Sequence, residues 1–278
     1  MLRIALAQMC SGIDPDENAE QLRSFIAEAA AGGATMVFTP EMSGLLDRDR
    51  SRASSVIKTE HDDRVLATVR SEAKKQRIWV QLGSLAIKTS DDPEEKWVNR
   101  SYLINCDGEI EARYDKIHLF DVDLDPDEAQ RESSAYARGK RAVAASLPGA
   151  TLGMSICYDL RFSSLYEALT NAGADILSIP AAFTVPTGKA HWEILLRARA
   201  IEAGAYVVAA AQYGRHADGR STYGHSMVVD PWGEILLEMA DGTGLGFCDL
   251  DLAKIQEVRS RVPAVANRQS FELPVKPS

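Results

Sequence analysis

The chain has 278 residues, 45% of them hydrophobic and 26% charged, and carries a formal net charge of -9. That balance suits a globular chain with a sizeable core, and the acidic excess argues against nucleic acid or an anionic membrane as the main partner. Four widely spaced cysteines (Cys10, Cys106, Cys157 and Cys248), with no C-x-x-C, argue against a disulfide scaffold and against a zinc site.

The N-terminal stretch turns acidic by Asp14 and lacks the long apolar run of a signal peptide. No segment approaches the roughly 20 apolar residues of a membrane span. A cytoplasmic, reduced protein is the expectation. LRIALAQM (2–9) predicts a buried strand. Asp16 to Ala30 predicts a helix, with Leu22, Phe25, Ile26 and Ala29 at helical spacing, acidic residues in its first turn and Gly32-Gly33 as its stop. ATMVFTP (34–40) is the next strand and Asp62 to Gln76 a second helix. Strands follow at 78–87 and 100–106, and Asp107-Gly108 turns the chain into a strand at 109–120. The stretch 121–141 is polar and irregular, and a loop of that length is usually functional or mobile.

The second half resumes with a strand at 150–157, a helix from Ser163 to Asn171, a strand at 174–180 and a helix from Ala190 to Ala203. Strands at 205–213, 223–231, 234–239 and 245–252 and a helix near 253–260 complete the chain. GGATMVFTPE (32–41) echoes AGADILSIPA (172–181), which fits two similar β-α-β halves or a chance likeness between buried strands. Strands alternating with helices favour the α/β class.

Three side chains sit where chemistry could be mounted. Cys157 ends an apolar strand and precedes YDLRF, the strand-to-turn position at which α/β folds present nucleophiles. A core cysteine fits that place equally well, and for the other three cysteines the core role is favoured. Glu41 directly follows an apolar strand, so it is either solvated at a sheet edge or set into a cleft. Lys116 lies within a predicted strand, where facing water is the simpler reading. Together they offer more: a thiol needs a base, and a carbonyl oxygen gaining charge needs a cation or N–H donors.

FTPE (38–41), YDKIHLFD (114–121) and GMSICYDLRF (153–162) occur in this order, with 75 residues from Glu41 to Lys116 and 41 more to Cys157. On these motifs the chain resembles the nitrilase (carbon–nitrogen hydrolase) superfamily from Arg3 to about Phe271. The stretches 186–202, 206–216 and 221–236 resemble its Nit branch, although Gly188-Lys189 stands where a Gly-Pro is usual.

The resemblance implies a single-domain α-β-β-α sandwich over 1–272, with a tail at 273–278. It implies Glu41 as general base, Lys116 as the cation that stabilises the intermediate and Cys157 as nucleophile. A further active-site glutamate falls on Glu132 in the QRESS segment. The expected reaction is hydrolysis of a small-molecule amide through a thioester. Deaminated glutathione is the expected substrate, cut to 2-oxoglutarate and cysteinylglycine. An ω-amidase acting on 2-oxo acid amides is the alternative, and a catalytically dead binding protein is the reading from another class.

In the expected reaction Tyr158 would contribute a backbone N–H to the oxyanion. Arg161 is the candidate for the substrate carboxylate, against a structural salt bridge, and Phe183 and Thr184 are candidates for the pocket wall. No metal or cofactor is expected, and the family implies a homodimer. The apolar helix 190–203 suits a buried or subunit-facing position. A Cys–His arrangement has one rival residue, His118. His191-Trp-Glu193 lacks the paired cysteines of a zinc deaminase, and GTGLG (242–246) precedes no helix.

Overall fold

The computed structural model describes residues 1–90, 96–123 and 129–272; the expected tail at 273–278 and positions 124–128 of the polar stretch lie outside the described residues. β1 (Leu2–Gln8) leads into α1 (Pro15–Ala31), capped by the Asp14 carboxylate, which accepts from the Asp16 and Glu17 amides. β2 (Met36–Phe38), α2 (Arg50–Val56), α3 (Arg64–Gln76), β3 (Trp79–Ile87), β4 (Val98–Ile104) and β5 (Ile110–Asp115) complete the first half. A crossing segment holds β6 (Asp121–Asp123) and β7 (Ala129–Arg131). The second half runs through β8 (Val143–Leu147), β9 (Ala150–Met154), α4 (Ser163–Asn171), β10 (Ile176–Ser178), α5 (Val185–Ala203), β11 (Tyr206–Ala209), β12 (Tyr213–Arg215), β13 (Ser221–Tyr223), β14 (Met227–Val229) and β15 (Ile235–Glu238). β16 (Gly244–Leu250) and α6 (Ala253–Arg261) follow.

Two six-stranded sheets result, ordered β16-β1-β2-β3-β4-β5 and β15-β14-β11-β10-β9-β8. In the first, β1, β2 and β3 run parallel and β4 and β5 antiparallel. In the second, β9, β10 and β11 run parallel, flanked by antiparallel β8 and β14. The segments that echo each other in sequence are β2 and β10, the middle parallel strands of two equivalent β-α-β units.

Side-chain alternation then builds the layers. Ile4 and Leu6 of β1 point into a core shared with Leu152, Met154 and Ile176 of the opposite sheet. Ala5 and Ala7, on the other face of β1, meet Leu22 and Ile26 of α1 and Val65 and Val69 of α3. Helices α4 and α5 cover the second sheet with Leu165, Leu169, Trp192 and Leu196, giving an α-β-β-α sandwich.

Several expectations need correction. The strand predicted over 109–120 stops at Asp115; the last backbone bond to β4 is Lys116 N–H to Asn99 O at 2.9 Å, and the Lys116 carbonyl then accepts from the Gly139 N–H at 2.8 Å. The stretch 121–141 is not without structure: β6 pairs β7, and Glu132–Ser134 forms a 3-10 turn. α2 escapes the periodicity search because RSRASSV buries only Ala53, and it is started by the Asp49 cap. β8 escapes because it is an edge strand of alternating exposure. α5 begins five residues before Ala190, since Pro186 pre-sets the first turn. Of the three cysteines read as core, Cys248 is buried, while Cys10 and Cys106 are only half-buried.

Candidate active site

A cavity of about 780 Å³ opens at the carboxyl ends of the parallel strands, with Glu41, Lys116, Glu132 and Cys157 along its wall. Cys157 begins a 3-10 turn, Cys157–Arg161, three residues past β9. Its φ of 49° lies in the left-handed region, a conformation that costs a non-glycine residue about 1–2 kcal/mol. The surroundings hold it there. The Cys157 N–H donates to Pro180 O at 2.8 Å. The fully buried Asp159 carboxylate accepts from the Ile156 N–H at 2.9 Å, the Tyr114 hydroxyl at 2.7 Å and the His118 N–H at 3.0 Å. The sharp turn therefore lifts the sulfur off the strand end and into the cavity.

Glu41 arrives from the other sheet, three residues past β2. Its Oε1 accepts from Lys116 Nζ at 2.8 Å and Asn99 Nδ2 at 2.9 Å, and its Oε2 from the Ala182 N–H at 3.0 Å. The charge of this carboxylate also acts on the Cys157 thiol, which shares the cavity wall with it. Glu132 Oε2 accepts from Lys116 Nζ at 2.9 Å and the Phe120 N–H at 2.7 Å, and its Oε1 from Asn99 Nδ2 at 3.2 Å. The ammonium thus sits between two carboxylates, and one amide NH₂ group spans the same pair. Gly83 lets the Glu41 turn pass close by: a Cβ there would lie 2.1 Å from Thr39 O and 2.3 Å from Pro40 O.

Immediately beside the sulfur, two carboxylates face one ammonium. Burial first, and then the Glu41 charge, push the Cys157 thiol well above its ordinary range, and Lys116 only partly opposes them. Burial alone would lower the Lys116 ammonium, but Glu132 and Glu41 together hold it well above the ordinary lysine value. At rest the sulfur is a neutral thiol next to a hydrogen-bonded carboxylate, and the lysine is a fixed cation. Such a thiol becomes a nucleophile by giving its proton to the neighbour during attack.

Tyr158, Arg161, Phe183 and Thr184 also line this cavity, so all eight sequence-predicted residues share one site. Arg161 is not in a structural salt bridge: among the described residues no carboxylate meets it. Its guanidinium lies 5.8 Å from the Tyr158 ring centroid and 5.6 Å from that of Phe183, with Nη2 3.2 Å from His191 Nδ1. Phe183 rests on Trp192 at 4.8 Å, and the Thr184 hydroxyl contacts that of Thr187 at 2.8 Å. His118 does not line the cavity. Its Nδ1 is 2.7 Å from Asp159 Oδ1 and its ring stacks on Phe162 at 3.6 Å, so it braces the turn from outside. Among the described residues no group of three or more His, Cys, Asp or Glu is placed to hold a metal ion.

Sequence reasoning missed Asn99, which sits beside Arg100 and Ser101 on β4 and is told apart only by its burial in the structure. It also missed Arg48, Arg50, Tyr136 and Thr222 of the cavity wall, which come from segments without a periodic pattern.

A carbon-nitrogen hydrolase family model matches residues 3–260. A deaminated glutathione amidase from Yersinia enterocolitica is 39% identical over 267 residues, covering 96% of this chain and 92% of that protein. Among solved structures, the Caenorhabditis elegans NitFhit protein superimposes with a TM-score of 0.89 at 36% identity; the match covers 96% of this chain and spans 65% of the longer one. An amidase from Nesterenkonia sp. AN1, solved after Michael addition of acrylamide at its active site cysteine, has a TM-score of 0.78 at 27% identity and covers 95% of this chain and 98% of that one.

Proposed function

The chain belongs to the carbon–nitrogen hydrolase family and is an amidase of its Nit branch, and on that footing we propose that it cleaves deaminated glutathione with Cys157 as nucleophile. The observation that carries this is the meeting of the Cys157 thiol, Glu41 and Lys116 on the wall of one cavity, with Lys116 Nζ 2.8 Å from Glu41.

Glu41 takes the thiol proton as sulfur attacks the amide carbon. The oxyanion is held by Lys116 and the Tyr158 N–H, donors already in place when charge develops. Collapse breaks the C–N bond while Glu41 returns the proton to the leaving nitrogen. A thioester and a free amine result, and water activated by Glu41 hydrolyses the thioester. Glu132 and Asn99 do not touch the reacting atoms in this scheme. They position Lys116 and Glu41, with Glu132 also balancing the ammonium. Acylation releases cysteinylglycine and deacylation releases 2-oxoglutarate. Arg161, which meets no carboxylate among the described residues, supports recognition of the 2-oxo acid carboxylate, with Tyr158, Phe183 and Thr184 as the surrounding wall.

The test offers deaminated glutathione and 2-oxoglutaramate side by side. The expected result is a higher kcat/KM for deaminated glutathione and a trapped acyl adduct on Cys157 by mass spectrometry. Preference for 2-oxoglutaramate would transfer the protein to the ω-amidases. Full activity in Cys157→Ala on every amide would end the nucleophile assignment.

A single catalytic domain over 1–272, a cytoplasmic location and a homodimer belong to the same proposal. The free cysteines suit a reducing compartment. No helix among the described residues is long and apolar enough to cross a membrane. Ile194 and Ile201 of α5 and the neighbouring Trp232 are 69%, 53% and 46% exposed, which suits a covered subunit face. Sedimentation of the purified chain as a monomer would remove the dimer.

A further inference from the structure

The cavity carries more positive charge than the acyl half of the substrate calls for. Arg48, Arg50, Arg131, Arg161 and Arg220 all line it. Asp218 neutralises Arg220 at 2.6 Å and Asp123 neutralises Arg131 at 2.5 Å. Among the described residues, no carboxylate lies within ion-pair distance of Arg48, Arg50 or Arg161; the nearby Asp47 and Asp49 are both taken by Arg52.

These three arginines fall into two groups. Arg161 comes from the turn that carries Cys157 and sits against Tyr158 and Phe183. Arg48 and Arg50 come from the segment that follows Glu41, and the Arg50 guanidinium lies 5.3 Å from the centroid of the Tyr136 ring. That segment is firmly anchored. Its Leu46 N–H donates to Gly12 O at 3.0 Å, its Arg48 N–H donates to Asp218 Oδ2 at 2.9 Å, and the Asp47 carboxylate binds Arg52 at 2.6 Å. Two arginines are therefore presented together at the wall on a firmly anchored segment, with no carboxylate within ion-pair distance of either among the described residues. Arginine is the side chain suited to a planar carboxylate in such a place.

The geometry points to a second carboxylate subsite, in which Arg50, with Arg48 beside it, binds the terminal carboxylate of the leaving group while Arg161 meets that of the acyl group. This rests on the substrate reading above and narrows it: the substrate class is an amide with a carboxylate on both sides of the scissile bond. An extended two-residue leaving group reaches roughly 7 Å past the scissile nitrogen. One cation cannot serve both ends, so two separate groups are required. The cavity volume of about 780 Å³ also fits a drug-sized ligand rather than a five-carbon amide.

The test compares deaminated glutathione with its C-terminal carboxamide analogue, in the wild type, Arg50→Gln and the Arg48→Gln/Arg50→Gln double variant. The wild type should favour the carboxylate about 10- to 100-fold in kcat/KM, mostly through KM. Arg50→Gln should erase most of that ratio and the double variant the rest, whereas Arg161→Gln should lower both substrates together and keep the ratio. Arg50 is exposed, so its replacement leaves the core intact. A ratio that survives in the double variant, or an equal loss on both substrates, overturns the subsite while the amidase reading stands. A wild type that cleaves 2-oxoglutaramate but not deaminated glutathione overturns the substrate reading and the subsite together, with the thioester chemistry untouched.

Discussion

Replacing Lys116 by Met removes the one cation that two carboxylates share. Lys116 Nζ lies 2.8 Å from Glu41 Oε1 and 2.9 Å from Glu132 Oε2, and the three side chains are only 3%, 6% and 13% exposed. Solvent does little screening at that depth, so taking one partner from the group costs about 3–5 kcal/mol. For a chain of this size that lowers Tm by roughly 6–20 °C. The same ammonium is a proposed oxyanion donor, so kcat falls by a further factor of about 10²–10³. The sign with pH follows from the raised pKa of Lys116. A lysine held above its unfolded value of about 10.4 contributes fully below that value, and the contribution is lost only as pH rises through the folded one. The Tm gap between wild type and Lys116→Met should therefore stay flat from about pH 6 to 9. Calorimetry at several pH values, together with steady-state kinetics on deaminated glutathione, measures both parts. A variant with kcat within tenfold of wild type and an unchanged Tm would refute the shared-cation argument.

Three further outcomes are expected. Cys157→Ala should gain stability relative to wild type above about pH 8.5, by about 1.4 kcal/mol per pH unit, because the unfolded thiol ionises there while burial keeps the folded one protonated; a constant Tm difference through the alkaline range would mean a thiolate at rest. Asn99→Leu removes bonds of 2.9 and 3.2 Å to Glu41 and Glu132 and should lower kcat about 10- to 100-fold with KM nearly unchanged; a rise in KM alone would place Asn99 in binding instead. Gly83→Ala drives a methyl to 2.1 Å from Thr39 O, so the turn carrying Glu41 must move; a loss of about 1–3 kcal/mol with a matching fall in kcat is expected, and a thermal melt unchanged from wild type would contradict it.

Legibility in the sequence followed burial. β1, β3 and β9 are nearly continuous apolar runs, and their periodicity announces them. α4 is bounded as expected, at Ser163–Asn171, because Leu165 and Leu169 lie on its inner face. α2 and β8 owe their place to a single buried alanine and to one neighbouring strand, which leave little trace in composition. Glu41, Lys116, Glu132 and Cys157 were legible through motifs and family resemblance, and not through local pattern. Lys116 shows the difference: its strand neighbours suggested a solvent-facing lysine, yet it is 2% exposed, because the carboxylates that hold it lie 75 and 16 residues away. Arg48 and Arg50 were invisible for the same reason. The segment that carries them is fixed by Asp218, a residue 170 positions from Arg48.

The site also depends on the pairing of the two halves rather than on either half alone. The Glu41 carboxylate is supplied by the first sheet, but its Oε2 is held by the Ala182 N–H of the second, 141 residues on. The Glu41 carbonyl accepts from Gln212 Nε2 at 3.0 Å, and the same amide reaches Ser11 Oγ at 2.7 Å. Bridges between Met9 and Gln212 and between Ala181 and Ala211 stitch the strand ends at this level. The Cys157 N–H donates to the carbonyl of Pro180, next to the Ala181–Ala182 step that steadies Glu41. The contacts that dock one β-α-β unit on the other are thus the contacts that set the distance between thiol and carboxylate. A proton transfer needs that distance fixed to within a few tenths of an ångström, and two rigid sheets sharing one close-packed core supply it in a way that a flexible loop could not.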